Sequence, residues 1–202
     1  MIPYGTFTFF LIAFIVLIPV IILGFLGKRS YIYNGISTAI MIVIIFASDK
    51  HNLLGQKYLS AQLFCFIIYV IWQVALIMYY YQSRQKKNTF TKFVTIMVLS
   101  ILPLAIVKIL QSSWLGGHQI HFHESKLIEF VGFLGISYVT FKSVQLIMEI
   151  RDGSIKEIKV GKLIQFISFF PTISSGPIDR YKRFVKDDKK VPSGAEYREL
   201  VI

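Results

Sequence analysis

Thr6–Leu26 reads TFTFFLIAFIVLIPVIILGFL, a run with no charged residue and only its two threonines polar. A helix rises about 1.5 Å per residue and needs about 20 apolar residues to cross a hydrocarbon layer of about 30 Å, so this run is long enough to be a membrane span. Nothing basic precedes it and no small-residue cleavage pattern follows it, so it reads as a first span and not as a signal peptide.

Outward from that run, four more apolar stretches follow: Tyr31–Ala47, Ala61–Tyr81, Phe90–Leu110 and Leu127–Ile150. The second is the shortest and implies little tilt or a locally thinned bilayer. With 54% hydrophobic and 15% aromatic residues, the 202-residue chain carries more apolar surface than one soluble core of that size buries. The fold class expected is an all-α membrane protein of about five transmembrane helices. The single cysteine, Cys65, sits inside the third stretch, where it forms no intramolecular disulfide and reads as a small buried hydrophobe.

The net charge of +11 lies between the apolar runs and does not alternate with aromatics along one surface. That pattern fits loops facing an anionic lipid leaflet and excludes nucleic acid as a partner. Lys and Arg are concentrated after the first, third and fifth stretches, at Lys28 and Arg29, at Arg84, Lys86, Lys87 and Lys92, and at Arg151, Lys156, Lys159 and Lys162. The other side holds Lys50, Lys57 and Lys126. Positive loops stay cytoplasmic, so the amino terminus is expected outside a multi-pass protein of the plasma membrane.

Residues 155–178 break the pattern, mixing apolar residues with Lys156, Lys159 and Lys162 and then reaching Phe169-Phe170-Pro171-Thr172-Ile173-Ser174-Ser175-Gly176-Pro177-Ile178. Two prolines and a glycine free backbone groups that lipid cannot satisfy, so the segment is expected to be re-entrant or interfacial, buried in protein or lining a wet cavity. Residues 179–202, with Arg180, Lys182, Arg183, Lys186, Lys189 and Lys190, form a basic cytoplasmic segment that stops without a closing feature, as though the chain were cut. No repeat or low-complexity linker divides the chain, so residues 1–202 are expected to form one membrane domain.

Charge inside a span is costly, and the fifth stretch carries Lys142 and Glu149, with Gln145 between them and Tyr138 one turn earlier, all on one helical face. This face either lines a cavity, or Glu149 lies at the interface while Lys142 snorkels to the cytoplasmic side; Lys108, near the end of its stretch, snorkels. His118, His121 and His123 with Glu124 form a polar loop whose spacing matches no metal motif, so no metal site is assigned, and His51 reads as solvated. The basic residues after Pro177 either hold the loop at an anionic surface or receive an acidic partner.

Phe169-Phe170-Pro171-Thr172, Ser175-Gly176-Pro177-Ile178 and Arg180 to Phe184 resemble the signature of the membrane-bound O-acyltransferases, and the run Gly135-Ile-Ser-Tyr-Val-Thr-Phe141 fits the same family. Gln145 and Glu149-Ile-Arg-Asp-Gly153 look most like the members that D-alanylate teichoic acids in Gram-positive cell walls. The resemblance covers residues 90 to 202 well and the first three spans in hydropathy alone.

It implies a ring of tilted helices around a tunnel, in which a D-alanyl group carried as a 4'-phosphopantetheine thioester on an acidic carrier protein passes to hydroxyls of wall or lipid-linked teichoic acid. No cofactor is bound permanently. Tyr138, Lys142, Gln145, Glu149, Pro171, Ser175, Gly176, Pro177, Asp179 and Arg180 are then expected to bind substrate or line the tunnel. Arg180, Lys182 and Arg183 are expected to receive the carrier, with membrane lipid and other D-alanylation membrane proteins as further partners.

Acyl transfer needs a base for the attacking hydroxyl, and the family's histidine sits on a later helix. None of His51, His118, His121 and His123 matches it, so no catalytic residue is assigned and this length of chain alone is expected to be inactive. The alternatives are a transporter or channel subunit with Lys142 and Glu149 on the permeation path, or a non-catalytic membrane scaffold.

Overall fold

The computed structural model describes residues 7–28, 31–47, 57–86, 89–111, 135–173, 179–189 and 196. Every regular element among them is helical. They fall into two compact units, residues 1–60 with 183–202, and residues 61–182.

In the first unit, α1 (Phe7–Phe25) packs on α2 (Tyr31–Ala47). α1 ends where Gly27 turns left-handed, at φ 63°. Lys28 N–H then bonds Leu23 O at 2.9 Å and Gly27 N–H bonds Gly24 O at 3.0 Å, so the last carbonyls are satisfied as they leave the lipid. Phe9, Met41, Ile45 and Phe46 are buried, whereas Phe7 is 82% and Phe14 60% exposed. Apolar helices this exposed need lipid or protein around them.

In the second unit, α3 (Lys57–Lys86) is 30 residues long, about 45 Å, and so outruns a hydrocarbon layer of about 30 Å. Its last turn carries Arg84 and Lys86. α4 (Phe90–Gln111) and α5 (Ile136–Arg151) pack against one another, burying Ile96, Leu104 and Val107 of α4 and the stripe Val139, Ser143, Leu146 and Ile150 of α5. The stretch of 127–134 expected to open the fifth span lies outside the described residues.

Pro103 sits inside α4 and cannot donate to Leu99 O. α3 supplies the missing donor, Trp72 Nε1 reaching Leu99 O at 3.4 Å. One residue further on, Gln73 Nε2 donates to Ser100 O at 3.0 Å and Ser100 Oγ donates back to Gln73 Oε1 at 2.7 Å. Gln73 Nε2 also bonds Tyr69 Oη at 2.9 Å, and Tyr69 Oη shares a 2.6 Å bond with Thr140 Oγ1 of α5. One buried polar chain therefore ties three helices together where apolar packing gives little preference over lipid.

Gln73→Leu is expected to destabilise the protein by about 1–2 kcal/mol, with Ser100 left unpaired, which lowers the midpoint of thermal unfolding in detergent by about 2–8 °C. An unchanged midpoint would show that the chain of bonds adds nothing to helix association.

α5 ends like α1, with Gly153 at φ 73°, Ser154 N–H on Glu149 O at 3.1 Å and Gly153 N–H on Ile150 O at 3.1 Å. Arg84 Nε takes Arg151 O at 3.1 Å, and Tyr81 Oη donates to Lys156 O at 2.9 Å, fastening the outgoing chain to α3. The Arg151 guanidinium lies 4.3 Å from the centre of the Phe93 ring. Cys65 is free and half-buried, less enclosed than its apolar surroundings in sequence suggest.

Candidate functional site

The polar face of α5 is where the second unit concentrates its chemistry. After α5 comes α6 (Val160–Ser168), nine residues that bury Leu163, Phe166 and Ile167 and leave Val160 and Ile164 exposed. It is too short to span, and Pro171 at the start of the next turn stops it from continuing. Phe170–Thr172 form a single 3₁₀ turn, with Thr172 N–H on Phe169 O and Ile173 N–H on Phe170 O, both at 3.2 Å.

A helix end leaves its last four carbonyls without intrahelical partners. Lys142 answers one of them, its Nζ donating to Phe166 O at 3.0 Å and to Thr172 Oγ1 at 2.6 Å, 5.4 Å from the centre of the Phe166 ring. Thr172 Oγ1 passes the proton chain on to Phe169 O at 3.1 Å. A cation at the negative end of α6 is favourable in sign. Lys142 is only 2% exposed, so it does not snorkel to the boundary, and its ammonium is committed to the backbone of the broken helix.

At the start of α5, Gly135 has φ 92°, and a Cβ there would lie 2.8 Å from Ile173 O and 3.1 Å from Ile173 Cγ1. Glycine is therefore required twice, by the dihedral and by the approach of the 3₁₀ turn. At the far end of α5, fourteen residues and about 21 Å away along the axis, the Glu149 carboxylate accepts hydrogen bonds from the Lys182 backbone N–H and the Gln145 side chain. Ile173 and Lys182 thus lie at opposite ends of one helix. Tyr181, buried, meets the Phe166 ring edge-on with centroids 5.4 Å apart.

Between these elements is a cleft of about 270 Å³ lined by Gln145, Met148, Glu149, Asp152, Ser154, Arg180 and Lys182. Of the residues expected to bind substrate, Gln145, Glu149 and Arg180 come together here, joined by Lys182 from the expected docking set. Tyr138 is half-buried in the first turn of α5, apart from this lining. Pro171 is exposed on its turn, and Asp179 Oδ1 accepts the Arg180 N–H at 2.8 Å. Ser175, Gly176 and Pro177 lie outside the described residues, as do His51, His118, His121, His123 and Glu124.

Arg183 lies on α7 (Tyr181–Lys189), where its Nε is 3.6 Å from Asp187 Oδ2 one turn on. With side chains 75% and 61% exposed, this pair adds at most a few tenths of a kcal/mol. Nothing local in the sequence points to the buried chain from Tyr69 to Thr140, nor to Met148 and Ser154 of the cleft, and Asp152 stands within the run Glu149–Gly153 without a role of its own. Thr172 stands in the signature without a role of its own, although the carbonyls of a helix broken by Pro171 need donors and so point to it. The described residues hold no group of three or more His, Cys, Asp or Glu placed to share a metal.

No family model matches the chain. Curated proteins do. The chain is 46% identical over 202 residues to the teichoic acid D-alanyltransferase of Bacillus subtilis (strain 168), covering 100% of the chain and 47% of that protein. It is 41% identical over 202 residues to the protein of the same name from Lacticaseibacillus rhamnosus, covering 98% and 45%. The chain belongs to the teichoic acid D-alanyltransferase family, a branch of the membrane-bound O-acyltransferases.

A third teichoic acid D-alanyltransferase, from Streptococcus thermophilus, is 32% identical over 199 residues, covering 98% of the chain and 43% of the relative. The chain spans about half the length of these curated teichoic acid D-alanyltransferases. Their likeness extends beyond residues 90 to 202 to α1, α2 and α3, which the motifs alone did not reach. The exposed apolar helices belong to a multi-pass membrane protein.

Proposed function

We propose that this chain forms part of a membrane O-acyltransferase that moves D-alanine from a carrier-protein thioester across the plasma membrane to hydroxyls of lipoteichoic or wall teichoic acid. The observation that carries the reading is the 46% identity, over the whole chain, to a protein named teichoic acid D-alanyltransferase. In the reaction the acceptor oxygen attacks the thioester carbonyl, an ester C–O bond forms, the C–S bond breaks, and the proton of the hydroxyl ends on the phosphopantetheine thiol.

The amino terminus lies outside the cell in this reading. The carboxyl ends of α1, α3 and α5 then all face the cytoplasm, which suits both the basic residues after them and the negative end of each helix. Residues 155–178 dip in from that side and return, a reading supported by Ile173 and Lys182 lying at opposite ends of α5. Arg180, Lys182 and Arg183 border the mouth, where an acidic carrier presents its arm, and Tyr138, Lys142, Gln145, Glu149, Pro171, Ser175, Gly176, Pro177, Asp179 and Arg180 line or support the tunnel. The base that activates the acceptor lies in the remaining half of the protein, and the 202 residues alone carry no transfer activity.

The test uses membranes containing either these 202 residues or the longer protein, supplied with carrier protein charged with radiolabelled D-alanine and with teichoic acid as acceptor. Label is expected in teichoic acid with the longer protein alone. Transfer by the 202 residues would refute the placing of the base, and transfer by neither would turn the reading toward transport or scaffolding.

A further inference from the structure

One polar atom of a residue that lines the cleft beside α5 is left unused by the described residues. Glu149 Oε2 is buried and has no hydrogen-bond partner among the described residues, although the same carboxylate already accepts from the Lys182 backbone and the Gln145 side chain. Keeping a carboxylate oxygen out of water without a donor is costly, and a ligand N–H placed there would recover the loss. Around that oxygen, Glu149 and Asp152 are balanced by Arg180 and Lys182, so the lining as a whole is close to neutral.

A near-neutral lining that carries both signs of charge suits a small dipolar group, its N–H end toward the carboxylate and its oxygen toward the two cations. The volume, about 270 Å³, lies just under the range of about 300–1,000 Å³ for drug-sized ligands, so the cleft takes the end of an arm and not a polymer. An α-aminoacyl group has this shape, an ammonium two bonds from a carbonyl.

We propose that the cleft recognises the aminoacyl end of the donor, with Glu149 Oε2 accepting a hydrogen bond from its α-ammonium and the cations Arg180 and Lys182 facing its acyl oxygen. The assignment rests on the D-alanyl-transfer reading above and adds to it the part of the donor that is read. A lipid headgroup with a primary ammonium offers the same N–H chemistry, so the test has to separate the two sources.

The longer protein is placed in phosphatidylglycerol vesicles and supplied with carrier protein charged with either D-alanine or D-lactate, which keeps the carbon skeleton and the arm but puts a hydroxyl where the ammonium was. Wild type is expected to use the D-lactyl donor about 10- to 100-fold less efficiently in kcat/KM, the worth of one hydrogen bond between charged groups. E149Q is expected to lose about that factor with D-alanyl donor and to change little with D-lactyl donor. Glu149→Asp keeps the charge, is expected to fall between the two, and takes the place of E149Q if that variant does not accumulate.

Equal use of both donors by wild type overturns the proposal, as does an equal loss on both donors in the variants, which would make Glu149 a clamp on Lys182 and nothing more. Phosphatidylethanolamine added to the vesicles is expected to leave the discrimination unchanged, and competition by it would assign the cleft to lipid. Transfer from neither donor by wild type overturns the D-alanylation reading itself, whereas transfer without discrimination overturns the cleft assignment alone.

Discussion

Lys142→Glu is expected to leave almost no folded protein in the membrane, while Lys142→Met leaves a weakened but folded one. In the native structure the ammonium faces Phe166 O and Thr172 Oγ1 and lies beside the Phe166 ring. Methionine fills most of the volume and removes a buried charge, but the carbonyl and hydroxyl lose their donor, a net cost of about 1–3 kcal/mol. Glutamate places an anion against a carbonyl oxygen at the negative end of α6, a cost of about 3–5 kcal/mol. Thermal unfolding of detergent-purified protein reads the difference. Equal losses in the two variants would show that the sign of the charge at the end of α6 does not matter.

Gly135→Val should be nearly as damaging. A side chain at φ 92° is strained by about 1–3 kcal/mol before any contact is counted. The added carbon then meets Ile173 O at 2.8 Å, and because that atom is backbone, the whole 3₁₀ turn must shift. Gly135→Ala carries both penalties in milder form, about 2–4 kcal/mol, and the branched valine exceeds it. Gly35 of α2 is the internal control, since a Cβ there meets nothing within 4 Å. Gly35→Ala is expected to be neutral or to stabilise by about 0.5–1 kcal/mol, as alanine does inside a helix. Proteolysis of detergent-purified variants, followed at the bonds after α6, would show whether the turn has come loose. A Gly135→Val protein as resistant as wild type would contradict the close approach of Ile173.

The helices were legible in the sequence wherever apolar composition and helix coincide. α2 occupies Tyr31–Ala47, the stretch read from hydropathy, and α1 falls one residue inside Thr6–Leu26 at each end. α3 runs beyond Ala61–Tyr81 to Lys57 and Lys86 because its hydrogen bonding continues into water while apolarity stops at the lipid. The polar face of α5 was legible as well, since period and charge are local properties. Its partners were not. Phe166 lies 24 positions after Lys142 and Thr140 lies 71 after Tyr69, and no local pattern tells which carbonyl or hydroxyl a buried donor will find. Gln73 and Ser100 are inconspicuous because uncharged polar residues barely lower the hydropathy of their runs, yet their side chains bond one another and Gln73 also holds Ser100 O, one residue past the carbonyl freed by Pro103.

The bond between Lys142 and Phe166 O also sets an order on biosynthesis. Translation delivers the lysine before the carbonyl that will hold it, and the glycine at 135 before the turn that will press on it. Lysine near the centre of a nascent span costs about 2.5–3.5 kcal/mol to insert alone. The fifth helix therefore enters lipid with its cation still unmatched and reaches its final seat only after the polypeptide through Ile173 has been made. Folding of this segment is completed by a late arrival, because the seat of Lys142 exists only once Phe166 and Thr172 have joined the helix that carries it.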